Sequence, residues 1–167
     1  MRPNTRALEL KIRLAQVDDL PVLARLYRQT ILRQAPAHYT KAQTLSWAAS
    51  ADDRERFQTF ILAVQTFVAL DDIGIVGFAG IGADGHVAST YVRHDRLHCG
   101  IGSTLLQVVL DYAKARQIRR LYSEASEFSL GLFQKFGFHH YDTERIQHNG
   151  VTFDRYLVER LLSPNHD

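Results

Sequence analysis

The sequence has 167 residues, of which 46% are hydrophobic and 23% are charged. These values are typical of a globular protein, so a disordered or collagen-like chain is excluded. Twenty Lys and Arg residues against 18 Asp and Glu residues leave a net charge of +2, which is too small to indicate a nucleic-acid-binding protein. We therefore expect one domain over residues 1–167, with a core from about residue 9 to residue 162.

Cysteine content and hydrophobic segments indicate the cellular compartment of the protein. Cys99 is the only cysteine and has no partner for an internal disulfide, and no apolar segment resembling a secretion signal follows Met1. No stretch reaches the roughly 18 consecutive apolar residues of a membrane helix. We expect a cytoplasmic protein with neither nucleic acid nor a membrane as partner. Its oligomeric state stays open, and a homodimer is among the states considered.

The chain begins with the pattern of a strand followed by a helix. Apolar and charged residues alternate over 8–14, which predicts a half-buried strand. Apolar residues then recur at the helical period over 20–33, after Asp18, whose carboxylate is the expected N-cap. These patterns predict a strand followed by a helix with one apolar face.

A second helical region follows Pro36. Thr40 and Gln43 have the spacing of a capping box and predict a short helix over 40–50. Residues 52–62 are a candidate for a third helix. Aromatic residues are frequent in this part of the chain.

The rest of the chain alternates strands with two helices. Three strand-like runs separated by polar turns predict an antiparallel meander, and the last two strands are joined by an Asn-Gly turn. A four-turn helix, one strand and a short helix stopped by Gly137 lie between them. The predicted strands are 66–70, 73–81, 86–92, 119–124, 138–146 and 151–161. The order β-α-α-β-β-β-α-β-α-β-β indicates an α/β (α+β) fold with a mixed, partly antiparallel sheet.

The most informative segment is 91–105, which combines a strand end, a loop and the start of a helix. Gly100 and Gly102 would let main-chain N–H groups at the helix N-terminus approach an anion such as a phosphate. Glycines that serve only a tight loop and close helix packing give the same pattern. A dinucleotide-binding fold would need a third glycine at Leu105, and a P-loop would need Gly-Lys before Ser103, so both motifs are excluded.

At these residues the chain resembles the GNAT superfamily of acyl-CoA-dependent N-acetyltransferases. Gly100-Ile101-Gly102 matches the second half of the family signature Gln/Arg-x-x-Gly-x-Gly/Ala. The segment 132–138 resembles the family's aromatic-x-x-x-Gly-Phe segment. The resemblance covers residues 9–162 and implies a GNAT-like fold. It also implies transfer of an acetyl group from acetyl-CoA to a small-molecule or peptide amine, by direct attack in a ternary complex.

The resemblance also implies which residues surround acetyl-CoA. Main-chain N–H groups from about Leu97 to Ser103 would hold the pyrophosphate, although Leu97 itself lacks the side-chain donor of the family's Gln or Arg. The family's tyrosine acid falls on Phe133, which has no proton to give; one branch of the family carries phenylalanine there together with a Tyr-Thr…Trp segment like that at 39–47. Ser126 is expected near the pantetheine or adenine, although an N-cap role explains it equally well. The expected set is Val92, Leu97, His98, Cys99, Gly100, Ile101, Gly102, Ser103, Thr104, Ser126 and Phe133.

Acetyl transfer to an alkyl amine needs a proton acceptor, because an amine with a pKa of about 10 is mostly ammonium at neutral pH. Glu124 is the candidate base, and His86, Ser89 and Tyr91 are alternatives that could hold a water instead. A solvated or ion-paired carboxylate at a strand end accounts for Glu124 equally well. The main-chain N–H of Val92 is the expected donor to the oxyanion.

The resemblance implies that the region between the first and second strands lines the acceptor side. Tyr27, Tyr39 and Trp47 are candidate substrate-binding residues that could form an aromatic pocket for an amine. Packing of the helices on the sheet explains these residues as well. His94 and His98 have no third ligand at metal-binding spacing, so we expect no metal.

Two other classes of function remain open at this point. A non-catalytic acyl-CoA-binding or regulatory domain is favoured by Phe133 and by Ala88, which occupies a position where many relatives have an acidic residue. A protein-interaction domain would use the glycines for packing alone. Turnover of acetyl-CoA, and a rise in melting temperature on addition of CoA, separate the three classes.

Overall fold

A computed structural model describes residues 9–164 of the chain, so Leu8 of the first predicted strand lies outside the described residues. The strands are β1 (Lys11–Leu14), β2 (Gln65–Asp71), β3 (Gly74–Ile81), β4 (Val87–Val92), β5 (Arg120–Ala125), β6 (His139–His148) and β7 (Val151–Leu161). The helices are α1 (Leu20–Gln34), α2 (Lys41–Ala48), α3 (Arg54–Leu62), α4 (Ile101–Ala115) and α5 (Leu130–Lys135). The predicted α/β class is confirmed. The predicted order lacked one element, because α3 forms a complete helix.

The caps of the first two helices differ in how well the sequence predicted them. Thr40 and Gln43 form the expected capping box at α2, with the Gln43 N–H donating to Thr40 Oγ1 at 3.1 Å. The prediction that Asp18 caps α1 is wrong. Asp19 is the N-cap residue instead, and its carboxylate accepts from the Gln16 N–H at 2.8 Å and pairs with Arg13 at 2.7 Å. A short 3-10 turn at 17–19 delays the start of α1 and produces this shift.

The strands form two antiparallel sheets in the orders β1-β2-β3-β4 and β5-β7-β6. The sheets meet where β4 and β5 run side by side, through a parallel bridge between His86 and Tyr122. The Tyr122 N–H donates to Gly85 O at 3.1 Å, and Ser123 Oγ donates to Val87 O at 2.7 Å. Beyond these contacts no ladder joins β4 to β5 within residues 9–164. The two strands therefore leave a cleft between their carboxyl ends.

Gly85 makes the junction between the two sheets possible. Its φ is +94°, and a Cβ at this position would lie only 1.9 Å from Arg120 O. Since no side chain fits that space, the close approach of the turn before β4 to the start of β5 requires glycine.

Helices cover both faces of the first sheet. Side chains of α4 pack in the larger core with residues of both sheets, while α1 and α3 pack on the opposite face of β2 and β3. Ile101, Leu105 and Leu106 of α4 are almost fully buried, and each buried side chain of this size stabilises the fold by about 1.5–3 kcal/mol. This burial fixes the N-terminus of α4 at the mouth of the cleft. Within residues 9–164, no helix combines the length and apolarity needed to cross a bilayer, and the cytoplasmic location stays a prediction.

Candidate active site

The cleft between β4 and β5 has a volume of about 1000 Å³. The start of α4 and helix α5 line one end, and α1, α2 and the β6–β7 hairpin line the other. Most of the predicted site residues lie on its wall. They are Tyr27, Tyr39, Trp47, Val92, Leu97, His98, Gly100, Ile101, Gly102, Ser103, Glu124, Ser126 and Phe133.

The N-terminus of α4 presents unpaired main-chain donors at one end of the cleft. Gly100 precedes the helix with a φ of +80°, which glycine adopts without strain. Within residues 9–164, the main-chain N–H groups of 97–103 have no hydrogen-bond acceptor. The helix dipole adds about half a positive charge at the same place. This geometry suits an anion such as a phosphate.

Close packing explains the second glycine of the motif. A Cβ on Gly102 would lie 3.1 Å from Leu132 Cδ2 and 3.5 Å from Val92 Cγ2. The start of α4 therefore lies close to both α5 and the end of β4. A large side chain at Gly102 would have to displace these neighbours or project into the cleft.

Two of the predicted cofactor residues do not lie on the cleft wall. Thr104 donates both its N–H and its hydroxyl to Gly100 O at 3.0 Å, so both groups are used within the helix. Cys99 is exposed, and its thiol donates to Leu97 O at 3.4 Å. The structure therefore gives these two side chains a local role at the start of α4.

Three cationic side chains on the cleft wall were not predicted from the sequence: Arg96, Lys135 and Arg155. Arg96 Nε donates to Asp71 Oδ2 at 3.1 Å, and the side chain of Asp71 is only 2% exposed. This hydrogen bond raises the pKa of Arg96 further above its usual value. Lys135 Nζ lies 3.3 Å from Ser103 Oγ. The sequence carried no signal for the Asp71 contact, because it joins the β2–β3 turn to a loop that is distant along the chain.

Ser126 and Phe133 also lie on the cleft wall, in the turn before α5 and in α5 itself. Ser126 Oγ accepts from the N–H groups of Phe128 and Ser129 at 3.2 Å and caps the turn after β5. Helix α5 begins only at Leu130, so the prediction that Ser126 is the N-cap residue of this helix is wrong. Phe133 is 2% exposed and packs 5.0 Å from the Phe138 ring, so most of its surface belongs to the core.

Glu124 forms a hydrogen-bonded pair with His86 across the start of the cleft. The distance from His86 Nε2 to Glu124 Oε2 is 2.6 Å, and both side chains are partly exposed. The hydrogen bond to Glu124 raises the pKa of His86, against the lowering effect of burial and with a further contribution from Asp84. Burial raises the pKa of Glu124, but the hydrogen bond and the charges of His86 and Arg155 bring it below its usual value. The pairing therefore stabilises the protonated form of His86 and the ionised form of Glu124.

The main chain of Val92 faces the cleft. The Arg93 N–H donates to Val76 O of β3 at 2.8 Å, and N–H groups alternate between the two sides of an antiparallel strand. The Val92 N–H therefore points away from β3, towards the side on which β5 lies. The Val92 carbonyl on this side accepts from Thr30 Oγ1 of α1 at 3.0 Å.

The predicted aromatic residues lie together at the other end of the cleft. Tyr27 is largely buried, 4.7 Å from the Tyr91 ring, and Trp47 Nε1 donates to Tyr91 Oη at 3.3 Å. The rings of Tyr39 and Trp47 are 5.3 Å apart. Burial raises the pKa of Tyr91 well above its usual value, so its hydroxyl stays protonated.

One polar side chain near these rings is unpaired. Ser89 Oγ is buried and has no hydrogen-bond partner within residues 9–164. Over the same part of the chain, no group of three or more His, Cys, Asp or Glu residues could hold a metal ion.

Comparison with known families assigns this architecture. The sequence profile of the acetyltransferase (GNAT) domain matches residues 35–159, which span the cleft and most of both sheets. The chain belongs to the GNAT acetyltransferase family. A search of curated proteins gives no significant match.

Solved structures share the fold. A GCN5-related N-acetyltransferase from Rhodopseudomonas palustris superposes with a TM-score of 0.89 at 24% identity, covering 93% of this chain and 98% of that one. PaiA N-acetyltransferase from Thermoplasma acidophilum, solved in complex with coenzyme A, gives 0.77 at 18% identity, covering 93% and 100%. Ribosomal-protein-alanine N-acetyltransferase from Brucella melitensis gives 0.65 at 24% identity, covering 91% and 99%. At these identities the likeness establishes the fold and leaves the acceptor undetermined.

Proposed function

We propose that this protein transfers an acetyl group from acetyl-CoA to a primary amine by direct attack in a ternary complex. The observation that carries the proposal is the row of unpaired N–H groups at 97–103, beside a cleft that also holds the His86–Glu124 pair. One feature of the cleft would bind the donor and the other would remove a proton from the acceptor.

The residues around the α4 N-terminus fit the phosphates of coenzyme A. The N–H groups of 97–103 would donate to the pyrophosphate, and the cationic side chains of Arg96 and Lys135 would attract it. Acetyl-CoA supplies an activated acetyl group as a thioester. The Val92 N–H would donate to the acetyl carbonyl oxygen, where one such donor is worth about 3–4 kcal/mol in the transition state.

The His86–Glu124 pair would accept the proton of the ammonium, directly or through one water. His86 in its neutral form is the proton acceptor, and Glu124 stabilises the imidazolium that results. This arrangement extends the sequence-based prediction, in which Glu124 alone was the candidate base. A raised pKa of His86 suits this role because it reduces the gap to an amine pKa of about 10.

No tyrosine hydroxyl is available at the position of the family's acid. Phe133 occupies it and is packed in the core. A thiol has a pKa of about 8.5, so coenzyme A can leave as the thiolate without a dedicated side-chain acid. We therefore assign Phe133 to the wall that supports acetyl-CoA.

Release of free thiol from acetyl-CoA tests the proposal. We expect release that depends on both the protein and an added amine, together with a CoA-dependent rise in melting temperature. A matched control adds the N-acetylated form of the same amine, which should give no release. Tight CoA binding without release for any amine would instead support the non-catalytic binding domain that Phe133 favours.

A further inference from the structure

The end of the cleft lined by α1, α2 and the β6–β7 hairpin is called the acceptor end, because the proposed amine acceptor would bind there. Helix α2 closes this end by contacting the β6–β7 hairpin. Gln43 Nε2 donates to Thr152 O at 2.9 Å, and Ser46 Oγ lies 3.0 Å from His148 Nδ1 and 3.1 Å from His148 O. We call these four residues, Gln43, Ser46, His148 and Thr152, the α2 bridge. Because α2 packs with α1 on the first sheet and the hairpin belongs to the second, the bridge spans the gap between the sheets.

A second contact closes the side next to α5. The Glu127 N–H donates to Tyr39 Oη at 3.0 Å, and the rings of His38 and Phe128 lie 5.3 Å apart. The connection between α1 and α2 therefore rests on the turn after β5. An extended peptide entering along either edge of this end would have to break one of the two contacts.

The enclosed space is lined by aromatic rings. Tyr39 lies 5.3 Å from Trp47, 5.9 Å from Phe128 and 6.4 Å from Phe153, measured between ring centroids. All four side chains line the cleft. Such a lining favours the apolar or aromatic body of a ligand, since flat rings provide large contact areas.

The acidic side chains at this end are already paired. Glu124 is held by His86 at 2.6 Å, and Asp154 by Arg145 at 3.0 Å. Among the described residues, the cleft wall has no other carboxylate. A polyamine would bring further positive charges that no free anion here would balance, and burying an unpaired charge is costly.

We propose that the acceptor is a small free monoamine with an apolar or aromatic body, and that protein amines and polyamines are excluded by the α2 bridge and the paired carboxylates. This inference rests on the proposed acetyl transfer. The reaction forms an amide bond and breaks the thioester: one proton of the ammonium passes to the His86–Glu124 pair, and the second goes to the sulfur of coenzyme A, which is released as the free thiol.

Acceptor competition tests the proposal. We expect the kcat/KM for 2-phenylethylamine and tryptamine to exceed that for spermidine and for a short lysine-containing peptide by at least about tenfold. Equal or better use of the peptide or of spermidine would overturn the inference and leave the acetyl transfer standing. Absence of turnover with every amine, while CoA still binds, would overturn both.

Binding can be followed without turnover, because Trp47 is the only tryptophan. In the presence of CoA, 2-phenylethylamine should change the Trp47 fluorescence, whereas spermidine and the peptide at the same concentration should not. An equal change with the peptide would count against enclosure of this end.

Opening the bridge gives a complementary test. The double variant Gln43→Glu, Ser46→Ala removes both donors but keeps an oxygen that can accept from the Thr40 N–H, so α2 retains its capping box. We expect peptide turnover to rise at least about threefold, with a melting temperature lowered by only a few degrees because hydrogen bonds between the sheets are lost. Lys41→Ala, an exposed change on the same helix, is the matched control and should change neither. No rise in peptide turnover in a folded double variant would overturn the role of the bridge.

Discussion

The two ends of the cleft are built from different parts of the chain. At the α4 end the donors are main-chain N–H groups of one continuous segment, 97–103. At the acceptor end the wall consists of side chains from α1, α2, β5 and the β6–β7 hairpin. A site made from the main chain depends little on which side chains surround it, whereas a site made from side chains changes its ligand when they change.

The largest effect is expected at the α4 end. Gly102→Glu would place a bulky anion where a Cβ already meets Leu132 at 3.1 Å, so steric clash and like charge both oppose CoA binding. We expect affinity to fall at least about 100-fold, measured by isothermal titration calorimetry.

Ser163→Glu is the matched control for this change. It adds the same charge at an exposed position outside the cleft wall and should leave CoA affinity unchanged. Unchanged affinity in Gly102→Glu would show that CoA binds elsewhere.

Glu124→Gln should lower kcat by about 100-fold, because it removes the carboxylate that stabilises the His86 imidazolium formed when the amine loses its proton. Its pH profile should also change. The rate rises as His86 loses its proton, and the hydrogen bond to Glu124 raises the pKa of His86, so removing the carboxylate should move the inflection down towards about 6.5.

The pH dependence of kcat, measured with one amine, checks both parts of this prediction. Arg155 lowers and Asp84 raises the pKa of His86 in the wild-type protein and in the variant alike. CoA affinity should stay unchanged. A reduced kcat with the inflection unmoved would show that Glu124 is not coupled to the titrating group.

The smallest effect concerns a residue outside the cleft. Asp71 is a buried positioning residue that holds Arg96 at the α4 end, and Asp71→Asn weakens this contact without changing the size of the side chain. We expect CoA affinity to fall about threefold to tenfold, which corresponds to the roughly 0.5–1.5 kcal/mol of one ordinary hydrogen bond.

The salt dependence of CoA binding separates positioning from stability. The fall in CoA affinity with rising salt concentration should be less steep in Asp71→Asn, because Arg96 would no longer be held facing the phosphates. The exposed neighbour provides the control, because Asp72→Asn alters a charge in the same turn without a hydrogen bond to Arg96. Equal effects of the two changes would contradict the role of Asp71.

The sequence by itself determined the α/β class, the order of most elements and the location of the α4 end. Local signals suffice there, because a capping box, an Asn-Gly turn and a Gly-x-Gly segment act within a few residues of the chain. The start of α1 shows where such signals fail: Asp18 and Asp19 are both acceptable caps by residue type, but a 3-10 turn at 17–19 delays the helix, and it is Asp19 that contacts Arg13 and the Gln16 N–H.

The tertiary structure decided what the cleft can do. The pairing of His86 with Glu124, the contact of Asp71 with Arg96 and the closure of the acceptor end by α2 join residues far apart in the chain. Such contacts depend on how the two sheets meet, including the close approach at Gly85 that excludes a side chain, and they leave no periodic pattern in the sequence. The physical reason is that local interactions specify elements, whereas long-range packing specifies which side chains share a site.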